Sequence, residues 1–273
     1  MLGTVRRAGD VLDLFTLHEP EWGATAVARE LEIAKSQAHA MLVSLASIGL
    51  LRRTEAARYR LGWRALSLGA DVLNGAAYVP TARRIMRSLA AAFPEVGVHL
   101  AVWDRGTVIC IARTVGSKTS AEVGQCPFPT TGSSMVPHRT SAGKVLLATQ
   151  CTEEHATYLR EQAYAEDSAG ATLCSGRFYA ELAEARERGF AEGPCAHHLA
   201  VHTVAAAIGL TPGETVASIG MSIPTERWGC RSPEYTRAAV AGAEMISRQA
   251  LRTSASRTGH VVAPRSVPIL SAA

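Results

Sequence analysis

Six basic side chains, Lys35, Arg52, Arg53, Arg58, Arg60 and Arg64, stand between residues 33 and 64 against a single acid, Glu55. Guanidinium and ammonium groups at that density suit the phosphates of a nucleic-acid backbone. A solvated charged face has the same composition, so charge alone does not decide. A second group, Cys195, His197, His198 and His202, carries thiolate and imidazole, both able to hold zinc or copper. The spacing matches no zinc signature, and adjacent histidines on an extended segment point to opposite faces. A polar loop edging a pocket is the favoured reading, and no metal or other cofactor is expected. The run from His138 to Val145 contains Gly143-Lys144, but His138 stands where a phosphate loop needs glycine and Val145 where it needs a hydroxyl. There is no GxSxG elbow and no HExxH helix. Cys110, Cys126, Cys151, Cys174, Cys195 and Cys230 form no CxxC pair, which suits a reducing compartment and small buried side chains.

The elements that must carry the basic cluster follow from hydrophobic spacing. Ala8, Val11, Leu12 and Phe15 predict a helix from about Arg7 to His18. After the break at 19–23, Thr25 can cap a short helix carrying Val27, Ala28 and Leu31 and ending near Glu32. A third helix starts at Lys35-Ser36 with Ala38, Met41, Leu42, Leu45 and Ile48 as its stripe and Gly49 as its end. Ser36 is also a candidate cap for it. The segments 50–53 and 58–61 predict a small hairpin. Three helices and a hairpin make a winged helix-turn-helix, in which the third helix enters the major groove and the hairpin arginines reach phosphates.

Leu66 to Leu73 predicts a linker helix, and the fold class expected is α+β with a second, larger α/β domain. Its helices are placed at 81–93, 140–149, 152–160 and 177–188, with a last one from Ser232-Pro233 to about Leu251. Its strands are placed at 98–104, 108–115, 202–210 and 216–223. A Gly/Pro/Ser/Thr-rich loop spans 116–137. A sheet with helices on its faces and a long loop on one side suits a small molecule. The domains read as 1–78, 79–252 and a flexible tail 253–273.

The string Ile33-Ala34-Lys35-Ser36-Gln37-Ala38-His39, followed by Gly49-Leu50-Leu51-Arg52-Arg53 and Tyr59-Arg60-Leu61-Gly62, resembles the DNA-binding module of IclR-family regulators. The resemblance continues at Val98–Val102, at His138–Ala148 and at Arg186–Ala191, and covers roughly residues 4–250. It implies a transcriptional regulator, a repressor in preference to an activator, whose recognition helix offers Lys35, Ser36, Gln37 and His39 to DNA. Arg52, Arg53, Arg58 and Arg60 would position the wing. The C-terminal domain would be GAF-like and bind a small-molecule effector near His138, Thr140, Thr203, Gly220 and Ser222. The partners implied are a pseudo-palindromic operator in double-stranded DNA and further copies of the chain, as a homodimer or homotetramer. The sequence departs from the family at Gln37 and Ala40, where Thr and Arg are frequent, at Thr203, where Cys is frequent, and over 192–198.

The 273 residues, 47% hydrophobic and 19% charged with net charge +4, are compatible with two folded domains and an anionic partner. No apolar run reaches the roughly 18 residues of a membrane span, so a cytoplasmic protein is expected. Two other readings remain open: a metabolite-processing enzyme with Cys195 or Cys126 as nucleophile and a histidine as base, and a metal-responsive regulator.

Overall fold

A computed structural model describes residues 3–119, 129–149, 156–158, 160, 176–195, 198–211 and 214–257. The chain divides into two compact units, Met1–Ala76 and Ala77–Ala273.

The first unit holds α1 (Gly3–Asp13), α2 (Ala24–Glu30), α3 (Lys35–Ser47), the hairpin β1 (Leu51–Arg53) and β2 (Tyr59–Leu61), and α4 (Trp63–Gly75). Its core joins Val11, Phe15, Trp22, Val27, Ala38, Met41, Leu42, Leu45, Leu51 and Tyr59. The stripe expected on α3 is buried except for Ile48, which stands 48% exposed at the helix end. Neither expected cap forms: α2 and α3 begin at Gly23 and Ala34 with no side-chain cap bond. The first helix stops at Asp13, short of His18, because the chain turns there to bring Phe15 inward and to let Trp22 Nε1 donate to the Leu14 carbonyl at 2.8 Å. Trp22 also exchanges two backbone hydrogen bonds with Tyr59, adding a bridge beside the hairpin where the sequence suggested only a break. Gly49 ends α3 at φ 78°, and Gly62 packs on it so closely that a Cβ there would run into the Gly49 carbonyl.

The second unit is one six-stranded sheet with helices on both faces. In chain order it contains α5 (Val79–Ala92), β3 (Gly97–Asp104), β4 (Thr107–Val115), β5 (Ser134–Met135), a 3₁₀ turn (Pro137–Arg139), α6 (Ser141–Thr149), α7 (Gly176–Arg188), β6 (Phe190–Cys195), β7 (His198–Thr211), β8 (Glu214–Pro224) and α8 (Thr225–Arg257). The strand order is β5-β4-β3-β8-β7-β6, with every pairing antiparallel. Helices α5 and α8 pack on one face, where Gly242 meets Ile85, Leu89 and Ile219. Helix α6 covers the other, placing Ala142, Val145 and Leu146 on Ala101, Val108 and Ala205.

Three expectations need correction. The segment after Phe190 is an edge strand, not a loop; its Glu, Gly and Pro residues have weak strand propensity, and an edge position tolerates Pro194. The last helix begins at Thr225, so Pro233 lies inside it rather than at its start. It also runs to Arg257, beyond the expected end at Leu251. The helix expected at 152–160 falls mostly outside the described residues, of which 156–158 and 160 are helical. Cys126, Cys151, Cys174, His197 and the tail from 258 lie outside them as well.

Candidate functional site

The first site grows from α3. Burial of Ala38, Met41, Leu42 and Leu45 turns the opposite ridge, Ser36, Ala40, Val43 and Ser47, outward. Lys35 and His39 flank that ridge and are exposed, while Gln37 is half-buried. The Ser44 hydroxyl donates to the Ala40 carbonyl and the Ser47 hydroxyl to the Ser44 carbonyl, both at 2.8 Å, so each proton is engaged within the helix and the oxygens are left as acceptors. Val43, 44% exposed, is a residue that motif reading passed over; its place three residues beyond Ala40 on the same ridge would have found it. An exposed methyl on such a ridge suits contact with a thymine methyl.

The hairpin arginines separate into two kinds. Arg52 and Arg53 are exposed; Arg52 lies over the Trp63 ring at 5.7 Å, and Arg53 has no ion pair among the described residues. Arg58 Nη2 donates to the Glu21 carbonyl at 2.6 Å, and Arg60 pairs with the Glu21 carboxylate. The Trp22–Tyr59 bridge brings Glu21 there from outside the basic window. Arg64 is likewise turned back, onto the Ile48 carbonyl at 2.6 Å.

The second site lies on the α6 side of the sheet. Strand register aligns Gly193, Thr203, Ser222 and Gly97 across four strands, and Ala191, Ala205, Gly220 and His99 in the next row. Ser141 joins α6 to the first row: its Oγ lies 2.7 Å from Thr203 Oγ1 and 3.1 Å from the Thr203 carbonyl oxygen. Thr203, Gly220 and Ser222 therefore share one face. Thr140 serves α6 itself, its Oγ1 accepting from the Gly143 amide at 3.0 Å. His138 sits apart from the two rows, its Nδ1 2.7 Å from the hydroxyl of Tyr158, in a cluster with Phe178; Trp103 packs edge-on against Tyr158. Burial pushes the Tyr158 phenol up to about 12, so it stays a neutral hydrogen-bonding group. Lys144, the candidate phosphate-loop lysine, is bonded to Glu181 on α7 at 2.7 Å.

Motif reading gave His99 no role, yet it is a buried titratable group of this face. Its ring lies across Gly220, and β4 places Arg113 opposite it. Burial, then the Arg113 charge, lowers its pKa to about 4, leaving the imidazole neutral at pH 7. His202 points away, stacking on Trp228 at 5.2 Å beside α8. It therefore does not gather with Cys195, which lies half-buried on β6, and among the described residues no three metal-binding side chains come together. An open groove of about 670 Å³ between β6 and α8, lined by Phe190, Glu192, Pro233 and Val240, lies on that other face, away from Thr203 and Ser222.

Comparison with known proteins agrees across both units. The IclR helix-turn-helix domain matches residues 4–55, and the bacterial transcriptional regulator IclR C-terminal domain matches residues 70–248. Among curated relatives, the chain is 23% identical over 228 residues to the HTH-type transcriptional regulator XynR of Escherichia coli, covering 83% of this chain and 88% of that one. It is 27% identical over 205 residues to the transcriptional repressor IclR of the same organism, covering 74% and 73%. Among solved structures, an IclR regulator from a Silicibacter species shares the fold with a TM-score of 0.77 at 21% identity, covering 91% of this chain and 96% of that one. An IclR homologue from Microbacterium hydrocarbonoxydans, complexed with 4-hydroxybenzoate, does so with a TM-score of 0.73 at 18% identity, covering 92% and 99%. A basic winged helix-turn-helix followed by this six-stranded sheet, matched by both domain models over most of its length, places the chain in the IclR family of bacterial transcriptional regulators.

Proposed function

We propose that this regulator is a sequence-specific repressor that binds a pseudo-palindromic operator as a homo-oligomer and is controlled by a small molecule held on the α6 side of the sheet. The observation that carries the reading is the pairing, on one compact unit, of an outward α3 ridge with two arginines, Arg52 and Arg53, that no described acid neutralises. The ridge supplies base contacts and the arginines anchor the wing to phosphates. Helix α4 supports the oligomer: none of its residues is buried, and Trp63 and Leu66 stand 73% and 65% exposed, an apolar surface that a second copy would cover. An effector acts by favouring one of two DNA-spacing states, and a preference of about 1–3 kcal/mol is enough to change operator affinity five- to roughly 150-fold. Support for a small-molecule ligand comes from the solved relative complexed with 4-hydroxybenzoate. No observation favours a Cys/His enzyme: Cys195 lies half-buried on β6, and Cys126 lies outside the described residues.

The test is recovery of genomic fragments by the purified chain, followed by titration of the best fragment against unrelated DNA at several salt concentrations. A palindromic site preferred by about a thousandfold or more, with steep salt dependence, is the expected result. Equal affinity for all sequences in both the presence and absence of cell metabolites overturns the reading.

A further inference from the structure

The ridge that α3 turns outward consists of Ser36, Ala40, Val43 and Ser47, all exposed, and none of them is charged or long. Helical spacing puts the four within about 60° of arc, opposite the buried Ala38, Met41, Leu42 and Leu45. The helix contains no arginine, and its one lysine, Lys35, stands about 100° round the helix from Ser36. Lys35 and His39, four residues apart, border one edge of the ridge, and Gln37 and Ser44 the other.

A guanine in the major groove presents two acceptors, N7 and O6, and is read by paired donors, most often those of arginine or lysine. The ridge offers a single hydroxyl proton, on Ser36, because the Ser47 proton is already donated to the Ser44 carbonyl. Serine favours no one base, so base choice on the ridge falls to Ala40 and Val43. Their methyl groups discriminate by contact with the thymine 5-methyl, which an A·T pair places in the major groove and a G·C pair does not. Residues three apart on a helix hold their Cβ atoms about 5–6 Å apart. Successive base pairs are about 3.4 Å apart, so the two side chains meet neighbouring pairs. A lone exposed valine elsewhere on a surface asks for no explanation. Val43, 44% exposed, instead lies beside Ala40 at the centre of the face that a winged helix-turn-helix presents to the groove.

We propose that Ala40 and Val43 select thymines at two neighbouring base pairs of each operator half-site by methyl contact, and that the outward ridge reads no guanine there. This rests on the assignment of α3 as the recognition helix and says what that helix recognises. Lys35 and His39, at the edge of the ridge, serve the adjoining phosphates.

Uracil in place of thymine removes the 5-methyl and keeps the pairing, so it tests the contact on the unaltered protein. With the operator fragment recovered as above, each half-site thymine is replaced by uracil in turn and affinity is read by fluorescence anisotropy. Two neighbouring pairs should respond, each substitution weakening binding about fourfold, the weight of one buried methyl group. Cytosine at those positions should weaken binding further, and 5-methylcytosine should recover part of that loss. Val43→Ser should abolish the uracil response at one of the two positions and keep it at the other, with the affinity for unrelated DNA and its salt dependence unchanged. Binding that is indifferent to uracil at every half-site position overturns the proposal and leaves the operator reading intact. A uracil response that survives at both positions in Val43→Ser assigns the methyl contacts to other residues and overturns it as well. Recovery of no preferred fragment overturns the operator reading and this proposal together.

Discussion

Arg53 and Arg60 are the same side chain on the two strands of one hairpin, and their electrostatic settings differ. Arg53 is exposed and free of any described ion pair, whereas the Arg60 charge is already matched by Glu21. Arg53→Ala should weaken binding to all DNA sequences alike and lower the slope of log affinity against log salt by about one unit. Arg60→Ala should change that slope far less, because few counterions are displaced by a charge that is neutralised within the protein. Fluorescence anisotropy across a salt series reads both, and equal losses would show that Arg60 leaves Glu21 for the backbone. His99 gives a pH signature: its pKa is about 4 in the folded chain against an ordinary 6.5, so the unfolded chain binds more protons between those values. Stability attributable to this residue is full above about pH 6.5 and is lost as the pH falls toward 4. The melting temperature of His99→Asn should vary less with pH than that of wild type across that window. The basic residues were legible from their density, but the neutralisation of Arg60 was not, because Glu21 lies 39 positions away and only the Trp22–Tyr59 bridge brings it there.

At the scale of elements, close backbone contacts and caps set the tolerances. Gly62→Ala would drive a methyl group into the Gly49 carbonyl, and because backbone rather than a flexible side chain must yield, a loss of about 2 kcal/mol or more is expected in the first unit by denaturant titration. Thr140→Ala removes the only side-chain acceptor found at the start of α6 among the described residues, and should cost about 1 kcal/mol in the second unit. The face of α6 that closes on the sheet was legible as an apolar helix, since Val145 and Leu146 fall on one side of it. That Thr140 would cap the helix and His138 turn to Tyr158 was not, because both depend on where the preceding 3₁₀ turn leaves the chain. Strand β6 was hidden for a related reason: an edge strand paired along one side only need not be apolar, so Glu192, Gly193 and Pro194 read as a loop.

For the whole molecule, the decisive quantity is the number of copies that engage DNA. If α4 is the surface through which they pair, Leu66→Asp should halve the mass seen by light scattering and reduce operator affinity by at least tenfold, while the fold of each unit, read by circular dichroism, is kept. Unchanged mass would move the contact elsewhere. Hydrophobic periodicity by itself determined the winged helix-turn-helix and most of the second unit's helices and strands, because local side-chain spacing reports which face of an element is buried. It also supported two domains, and its motifs were enough to point to the family. Only the tertiary structure decided that Thr203, Gly220 and Ser222 share a face with His99 and Ser218, that His138 meets Tyr158, and that Glu21 cancels Arg60. Those outcomes rest on strand order and register between segments far apart in the chain, and pairing of that kind leaves no periodic trace in a single sequence.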